Sequence, residues 1–308
     1  MKKVVAVTGG SGFIGRRLVA RLLMLGYEVR VLTRDVTSKD KTSKIKFFEG
    51  DLVNSTKEQL VSFLDEVDTL YHCAAEIHNE SLMFATNVEG TRKLSLLAKH
   101  RIKRWVQLST VGVYGLSRKA TITEESAPNP ANEYESTKLL ADIAMLDNLE
   151  NSDVAWAMLR PSKVFGSGMP NSSLEGLINA ILSNRFFYVG SKKTILTYVH
   201  VDDVVNALIM CGELEAASGQ IFNLSEDISI KQLVDLIANT SGERYIPCLP
   251  EIVARTLAKL FTWHSKFPLT NARIDGLVRQ IHYPVNKIKE KLGYQPVKGV
   301  YNGFKEML

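Results

Sequence analysis

Residues 4–15 read VVAVTGGSGFIG, an apolar β-branched run followed by T-G-x-x-G-x-x-G with Gly9, Gly12 and Gly15 at the fixed positions. Val4 to Val7 predict a strand. From Phe13 to Leu25 the apolar residues recur at helical spacing until Gly26. A strand that passes through such a turn into a helix is suited to a dinucleotide diphosphate. Gly9 permits the tight turn, Gly12 lets the backbone approach the phosphates, and Gly15 lets the helix pack close to the strand. The free N–H groups and partial positive charge of the helix start then hold the anion. Phe13 and Ile14, which open the helix, belong to the same cofactor-binding set.

The pattern repeats downstream. Val29–Leu32 and Lys46–Phe48 predict strands, Leu60, Phe63 and Leu64 a helical face, and Thr69–His72 another strand. A helix over Val88–Lys99, a strand over Trp105–Leu108, a helix over Ser136–Leu149 and a strand over Ala155–Leu159 follow. Strands alternating with helices predict an α/β fold, a doubly wound parallel sheet of Rossmann type. The stretch Gly166–Ser173 is rich in Gly, Ser, Pro and Asn and predicts a loop. Residues 1–165 and 197–228 are therefore expected to form the dinucleotide-binding domain. Residues 166–196 and 229–308 are expected to form a smaller mixed α/β substrate lobe.

Composition narrows the class. Of the 308 residues, 45% are hydrophobic and 23% charged, which argues against a disordered or fibrous chain. The 38 Lys and Arg against 33 Asp and Glu leave a charge of +5, too small and too dispersed to signal nucleic-acid binding. The three cysteines, Cys73, Cys211 and Cys248, are far apart and predict neither a disulfide framework nor a zinc site. No apolar run approaches the roughly 18 residues of a spanning helix, since Arg21 interrupts Leu18–Leu25. The chain passes directly from MKKVVAVTGG into its motif, without a signal peptide, so a cytoplasmic protein without integral membrane insertion is expected.

Cofactor choice rests on the end of the second strand, Val31–Leu32–Thr33–Arg34–Asp35. NAD sites usually carry an acid there, whereas an arginine pairs with the 2′-phosphate of NADP. Thr33 followed by Arg34 favours NADP, and the neighbouring Asp35 keeps NAD possible. For chemistry, Tyr134 and Lys138 stand four residues apart, on one helix face. The ammonium, with the positive nicotinamide, is expected to lower the phenol pKa, so that Tyr134 exchanges a proton with a substrate hydroxyl. Lys138 is also expected to hold the ribose hydroxyls. Thr110, at the carboxyl end of the strand before it, is expected to donate to the reacting oxygen.

These segments, together with Gly50–Asp51–Leu52, His72–Cys73–Ala74–Ala75, Asn87–Val88–Glu89–Gly90–Thr91, LSTVGVYG, YESTK, RPSKVFG, YVHVDDVVNA and LGYQP, resemble the extended short-chain dehydrogenase/reductases. The match is to the NAD-dependent epimerase/dehydratase group. The resemblance implies Tyr134 and Lys138 as the catalytic pair and Thr110 as their partner. It implies Asp51 and Leu52 beside the adenine, Ala74 and Ala75 along the cofactor cleft, and Pro161 and Val164 near the nicotinamide. It also implies a homodimer through helices near 87–100 and 134–149. Two departures stand out. Lys163 takes a position where nucleotide-sugar members often have Asn, and Leu196 one where many carry a diphosphate-gripping Arg. Lys163 either supplies the missing charge, or the pocket suits an apolar alcohol.

The leading expectation is an NADP-linked enzyme acting on a nucleotide sugar, as a 4-keto-sugar reductase or 4-epimerase. Val111–Gly112 after Thr110, where dehydratases have Asp–Glu, argue against a dehydratase. The alternatives are a reductase or dehydrogenase of a hydroxysteroid or flavonol, and a non-catalytic NADP-sensing scaffold. His200 is read as structural, Asp203 as a helix cap, and no metal site is expected. The segment from Glu251 to Trp263 is read as a helix packing in the substrate lobe rather than on a membrane. Trp263, Phe267 and Arg273 are candidates to line the pocket, with Arg273 a candidate phosphate contact.

Overall fold

A computed structural model describes residues 3–36, 44–115, 119–170, 172–238, 246–260, 270–278 and 280–308. The first part of the chain alternates β1 (Val4–Thr8), α1 (Phe13–Met24), β2 (Glu28–Thr33), β3 (Ile45–Glu49), α2 (Lys57–Leu64), β4 (Thr69–His72), α3 (Glu80–Met83), α4 (Gly90–Ala98) and β5 (Arg104–Leu108). Then come β6 (Lys119–Thr121), α5 (Glu133–Leu149), β7 (Ala155–Pro161), β8 (Lys163–Phe165), α6 (Ser172–Leu182), β9 (Tyr188–Val189), β10 (Ile195–His200), α7 (Val201–Glu213) and β11 (Gln220–Leu224). The chain ends with β12 (Glu226–Ser229), α8 (Ile230–Ala238), β13 (Cys248–Leu249), α9 (Glu251–Leu260), α10 (Asn271–Val278), β14 (Gln280–His282), α11 (Asn286–Leu292) and α12 (Val300–Met307).

Seven parallel strands form the central sheet in the order β11-β7-β5-β4-β1-β2-β3. Strand order reverses at β1, so the carboxyl ends of β1 and β4 open a crevice for a ligand. Side chains alternate across the pleat and both faces are buried. Val5 and Val7 pack with Leu18 and Leu22 of α1 and Val204 and Leu208 of α7. Ala6, on the opposite face, packs with Phe63 of α2, Leu94 of α4 and Met145 of α5.

A second apolar cluster joins β8, α6, β10, β12, α8 and α12 through Phe165, Ile178, Leu196, Ile228, Leu233 and Phe304. Here the rings of Phe165 and Phe304 stack at 4.2 Å. Two small sheets connect distant segments: β10 lies between β12 and β8, and β14 pairs in parallel with β6. Ile288, Leu292 and Tyr294, near the C-terminus, pack into the α1/α7 side of the central core. Among the described residues, no helix is long and apolar enough to cross a membrane.

Two local expectations need correcting. Asp203 is not the cap of α7. His200 is, its Nδ1 accepting from Asp202 N at 3.3 Å, while Asp203 accepts from the backbone N–H groups of Val297, Lys298 and Gly299 and so anchors the C-terminal segment. The helix expected from Val88 becomes α-helical only at Gly90, because Phe84–Glu89 form a π-helical turn. This turn points Asn87 inward, where its amide bonds both Glu76 backbone groups, at 2.7 and 3.0 Å.

Candidate active site

The glycine turn forms one wall of a cleft of about 480 Å³ at the carboxyl ends of β1, β2 and β4. Gly9 has φ +67°, and a Cβ there would lie 2.7 Å from Ala74 N. A Cβ on Gly15 would lie 2.1 Å from Gly9 O, so only glycine lets α1 start this close to the turn. Gly12 caps α1 without any side-chain hydrogen bond, which leaves the helix N–H groups to a ligand. Arg34, Asp51, Leu52, Ala74 and Ala75 line the same cleft; Asp35 is not among its lining residues. Asp51 accepts from Val53 N and Asn54 N at 2.7 and 2.6 Å. Desolvation opposes its ionisation, but these hydrogen bonds and the charge of Arg34 hold its carboxyl below the usual range. Phe13 instead packs beneath the guanidinium groups of Arg16 and Arg17, and Ile14 packs against the core. The glycine cradle, the uncapped helix start and Arg34 at the rim fit a dinucleotide.

Helix α5 carries the proton-transfer candidates. It starts earlier than the predicted Ser136, because Asn132 caps it through a 2.9 Å bond to Glu135 N, and this brings Tyr134 into the first turn. Lys138 is buried, and its Nζ donates to Leu108 O at 2.7 Å. This bond locks α5 against the end of β5, two residues before Thr110. Burial pulls the Lys138 pKa below its ordinary value, against the opposing charge of Asp142.

The expectation of an acidified phenol is not met by the protein alone. Burial pushes Tyr134 up to about 12, and the carboxylates of Asp142 and Glu135 act in the same sense. Thr110 Oγ1 accepts from Gly112 N at 3.0 Å and keeps its own proton for another acceptor.

Beyond Thr110 lies a pocket of about 250 Å³. Its lining comes from Thr110–Gly112, Gly115, Glu135, Ser162, Lys163, Ile195–Thr197, Gly276, Ile281 and Tyr283. Lys163 and Leu196 therefore meet Thr110 in one place. Pro161 and Val164 flank the lining residues Ser162 and Lys163, and Val164 packs on the central core. Arg273, in the same helix as Gly276, is exposed and is not among the lining residues. Trp263 and Phe267 lie outside the described residues. His200 is buried, with its ring against Phe165. Among the described residues, no three His, Cys, Asp or Glu side chains converge as a metal site.

Sequence reasoning missed the polar scaffold behind the cleft. Thr91 donates to Asn87 O, so its hydroxyl accepts from His72 Nε2, at 2.9 Å; His72 Nδ1 then accepts from the Thr8 hydroxyl at 2.8 Å. Asn87 also donates to Thr137 Oγ1 at 3.1 Å, tying the π-helical turn to α5 beside Lys138. Burial lowers the His72 pKa to about 3, so the ring is neutral at ordinary pH. The run His72–Cys73–Ala74–Ala75 was visible in the sequence; what the histidine bonds was not.

Comparison with known proteins gives the family and the fold. The family model described as "NAD dependent epimerase/dehydratase family" matches residues 5–225. A dTDP-6-deoxy-L-talose 4-dehydrogenase (NAD(P)(+)) of Kitasatospora kifunensis is 36% identical over 253 residues, covering 77% of this chain and 79% of the relative. A decarboxylating sterol-4-alpha-carboxylate 3-dehydrogenase of Mus musculus is 26% identical, covering 96% of this chain and 87% of the relative. Among solved structures, a UDP-glucuronic acid 4-epimerase from Bacillus cereus in complex with NAD matches with a TM-score of 0.76 and 21% identity, over 98% of this chain and 94% of that one. The chain belongs to the NAD dependent epimerase/dehydratase family and is an oxidoreductase of that family.

Proposed function

We propose that the chain is an NADP-dependent oxidoreductase of a nucleotide sugar, most simply a 4-keto-sugar reductase, with 4-epimerisation as the related outcome. The observation that carries this reading is the Lys138–Leu108 hydrogen bond, which joins the helix of Tyr134 to the strand end of Thr110, a lining residue of the pocket; Tyr134 and Lys138 themselves are not among the lining residues of the cleft or the pocket. Gly9, Gly12 and Gly15 receive the diphosphate, and Arg34, on the cleft rim, pairs with a 2′-phosphate. Thr110 donates to the substrate oxygen while Tyr134 exchanges a proton with it. Lys138 uses one ammonium proton on Leu108 O and offers the others to ribose hydroxyls or to the ionising phenol. A nicotinamide cofactor, when bound, supplies or accepts the hydride. Lys163 meets the substrate's negative charge, and residues 166–196 and 229–308, apart from the segment of Ile288, Leu292 and Tyr294 that packs into the central core, act as the substrate lobe. The exposed Leu96, Leu140 and Ile143 on α4 and α5 support a homodimer through these helices. The 36% identical relative, named for a dTDP-sugar, supports the substrate class.

Leu196 supports a second reading. It is buried beside Ile228 and gives the pocket an apolar wall, as a hydroxysteroid or other apolar alcohol requires. Thermal shift with NADPH present separates the two. Stabilisation by UDP- or dTDP-sugars supports the first, and stabilisation by steroids alone replaces it with the second. With the 4-keto sugar nucleotide that turns over, Tyr134→Phe is expected to lower kcat by roughly 10²–10⁴-fold while leaving NADPH affinity nearly unchanged. Unchanged turnover would remove Tyr134 from the mechanism and favour a non-catalytic scaffold.

A further inference from the structure

One turn beyond Lys138 on α5 lies Asp142, buried to 1% exposure. Tyr134, Lys138 and Asp142 are spaced at four and eight residues, on one helix face. The Asp142 carboxylate accepts from Ser109 Oγ at 2.6 Å, from Arg160 at 3.3 Å and from Gln107 Nε2 at 3.5 Å. Ser109 immediately precedes Thr110. Arg160 in turn donates to the Tyr114 hydroxyl at 2.9 Å, which donates to Asn223 Oδ1 at 3.1 Å. One carboxylate thus joins the ends of β5 and β7 to the helix carrying the proton-transfer pair. Stability alone is a weak account of such a cluster. Buried ion pairs are often matched or bettered by apolar residues of similar volume, and Arg160 Nε has no partner among the described residues. A role beside the chemistry does explain it.

We propose that Asp142 is a positioning residue for proton transfer: its carboxylate, held by Ser109 and Arg160, keeps the Ser109–Thr110 strand end in register with the face of α5 that carries Tyr134 and Lys138. The proposal rests on the reading that Tyr134 is the proton-transfer group. The charged and titratable groups around the pair are few. Asp142 and Glu135 on α5 oppose ionisation of Tyr134; Asp142 favours the protonated Lys138, and neutral His72 and the Cys73 thiol, pushed up to about 12 by burial, stand behind. Asp142 favours the Lys138 ammonium and adds to the larger effect of burial in opposing ionisation of the phenol. Arg160 holds the carboxylate in place and is not among the groups acting on Tyr134.

The test is the ionisation of Tyr134 in the NADP⁺-bound protein, followed by NMR with the tyrosine ring carbon bearing the hydroxyl labelled. The chain has 10 tyrosines, and the signal missing from Tyr134→Phe identifies the one of interest. Asp142→Asn is expected to move this ionisation to lower pH by about half to one unit, and Asp142→Glu to restore most of it. If Asp142→Asn strands Arg160 and does not fold, the double variant Asp142→Asn/Arg160→Met removes both charges and carries the same expectation. A Tyr134 ionisation unmoved by loss of the Asp142 charge overturns the proposal. Absence of NADP⁺ binding, or unchanged turnover in Tyr134→Phe, instead overturns the reading on which it rests.

Discussion

The glycine cleft and the pocket beyond Thr110 are neighbours made in opposite ways. The cleft is a backbone device: its shape comes from the absence of side chains at Gly9 and Gly15, and the N–H groups at the start of α1 carry no side-chain cap. The pocket is a side-chain device, assembled from the end of β5, the start of α5, the β7–β8 junction, β10, α10 and β14. A backbone device tolerates little substitution and serves one chemical group, a diphosphate. A side-chain device is retuned by single replacements, and Lys163 and Leu196 are two of its lining residues.

The sharpest way to break this contrast is at Gly15. A methyl group 2.1 Å from the Gly9 carbonyl cannot be accommodated by a side-chain shift, so the turn must open. Gly15→Ala is expected to weaken NADPH binding by roughly 100-fold or more in a fluorescence titration. Binding within a few-fold of the parent would show that the cleft is not a backbone device.

Acid pH probes the cleft from behind. The folded-state pKa of His72 is about 3, below its unfolded value near 6.5, so below pH 6.5 the unfolded chain binds the extra proton. The neutral ring's contribution is complete above 6.5 and declines as pH falls towards 3, by about 1.4 kcal/mol per unit. Urea unfolding between pH 7 and 4 is expected to show this slope, and His72→Gln to flatten it. An equal slope in both proteins would assign the loss to other groups.

The smallest expected effect is at Arg34, on the exposed cleft rim. Arg34→Ala should raise the Kd for NADPH about tenfold and leave NADH unchanged, because only the former carries a 2′-phosphate. A parallel loss for both cofactors would make Arg34 a general rim charge.

The same contrast governs what could be read in the sequence. The turn at Gly9–Gly15 is local, so its three glycines and the flanking period change specify strand, turn and helix together. The alternation of Val5 and Val7 with Ala6 fixes which helices cover which face. Tyr134 and Lys138 were legible by their spacing, but the phenol's proton affinity was not. It depends on burial, Asp142 and Glu135, and the expected lowering ignored all three. The pairing of β6 with β14 joins segments some 160 residues apart, and no periodicity in Lys119–Thr121 announces Gln280–His282 as its partner. The inward turn of Asn87 follows from its bonds to Glu76 and Thr137, which a helical pattern over Val88–Lys99 does not reveal. Asp203 looked like a cap because it stands at a helix start; its three backbone partners lie more than 90 residues away.

The central claim is that the turn between β1 and α1 carries a phosphorylated nicotinamide dinucleotide beside Tyr134. Calorimetric titration of the purified chain with NADPH and with NADH tests it most directly. Saturable binding of both, with NADPH tighter, is the predicted result; heats no larger than dilution for either would contradict it.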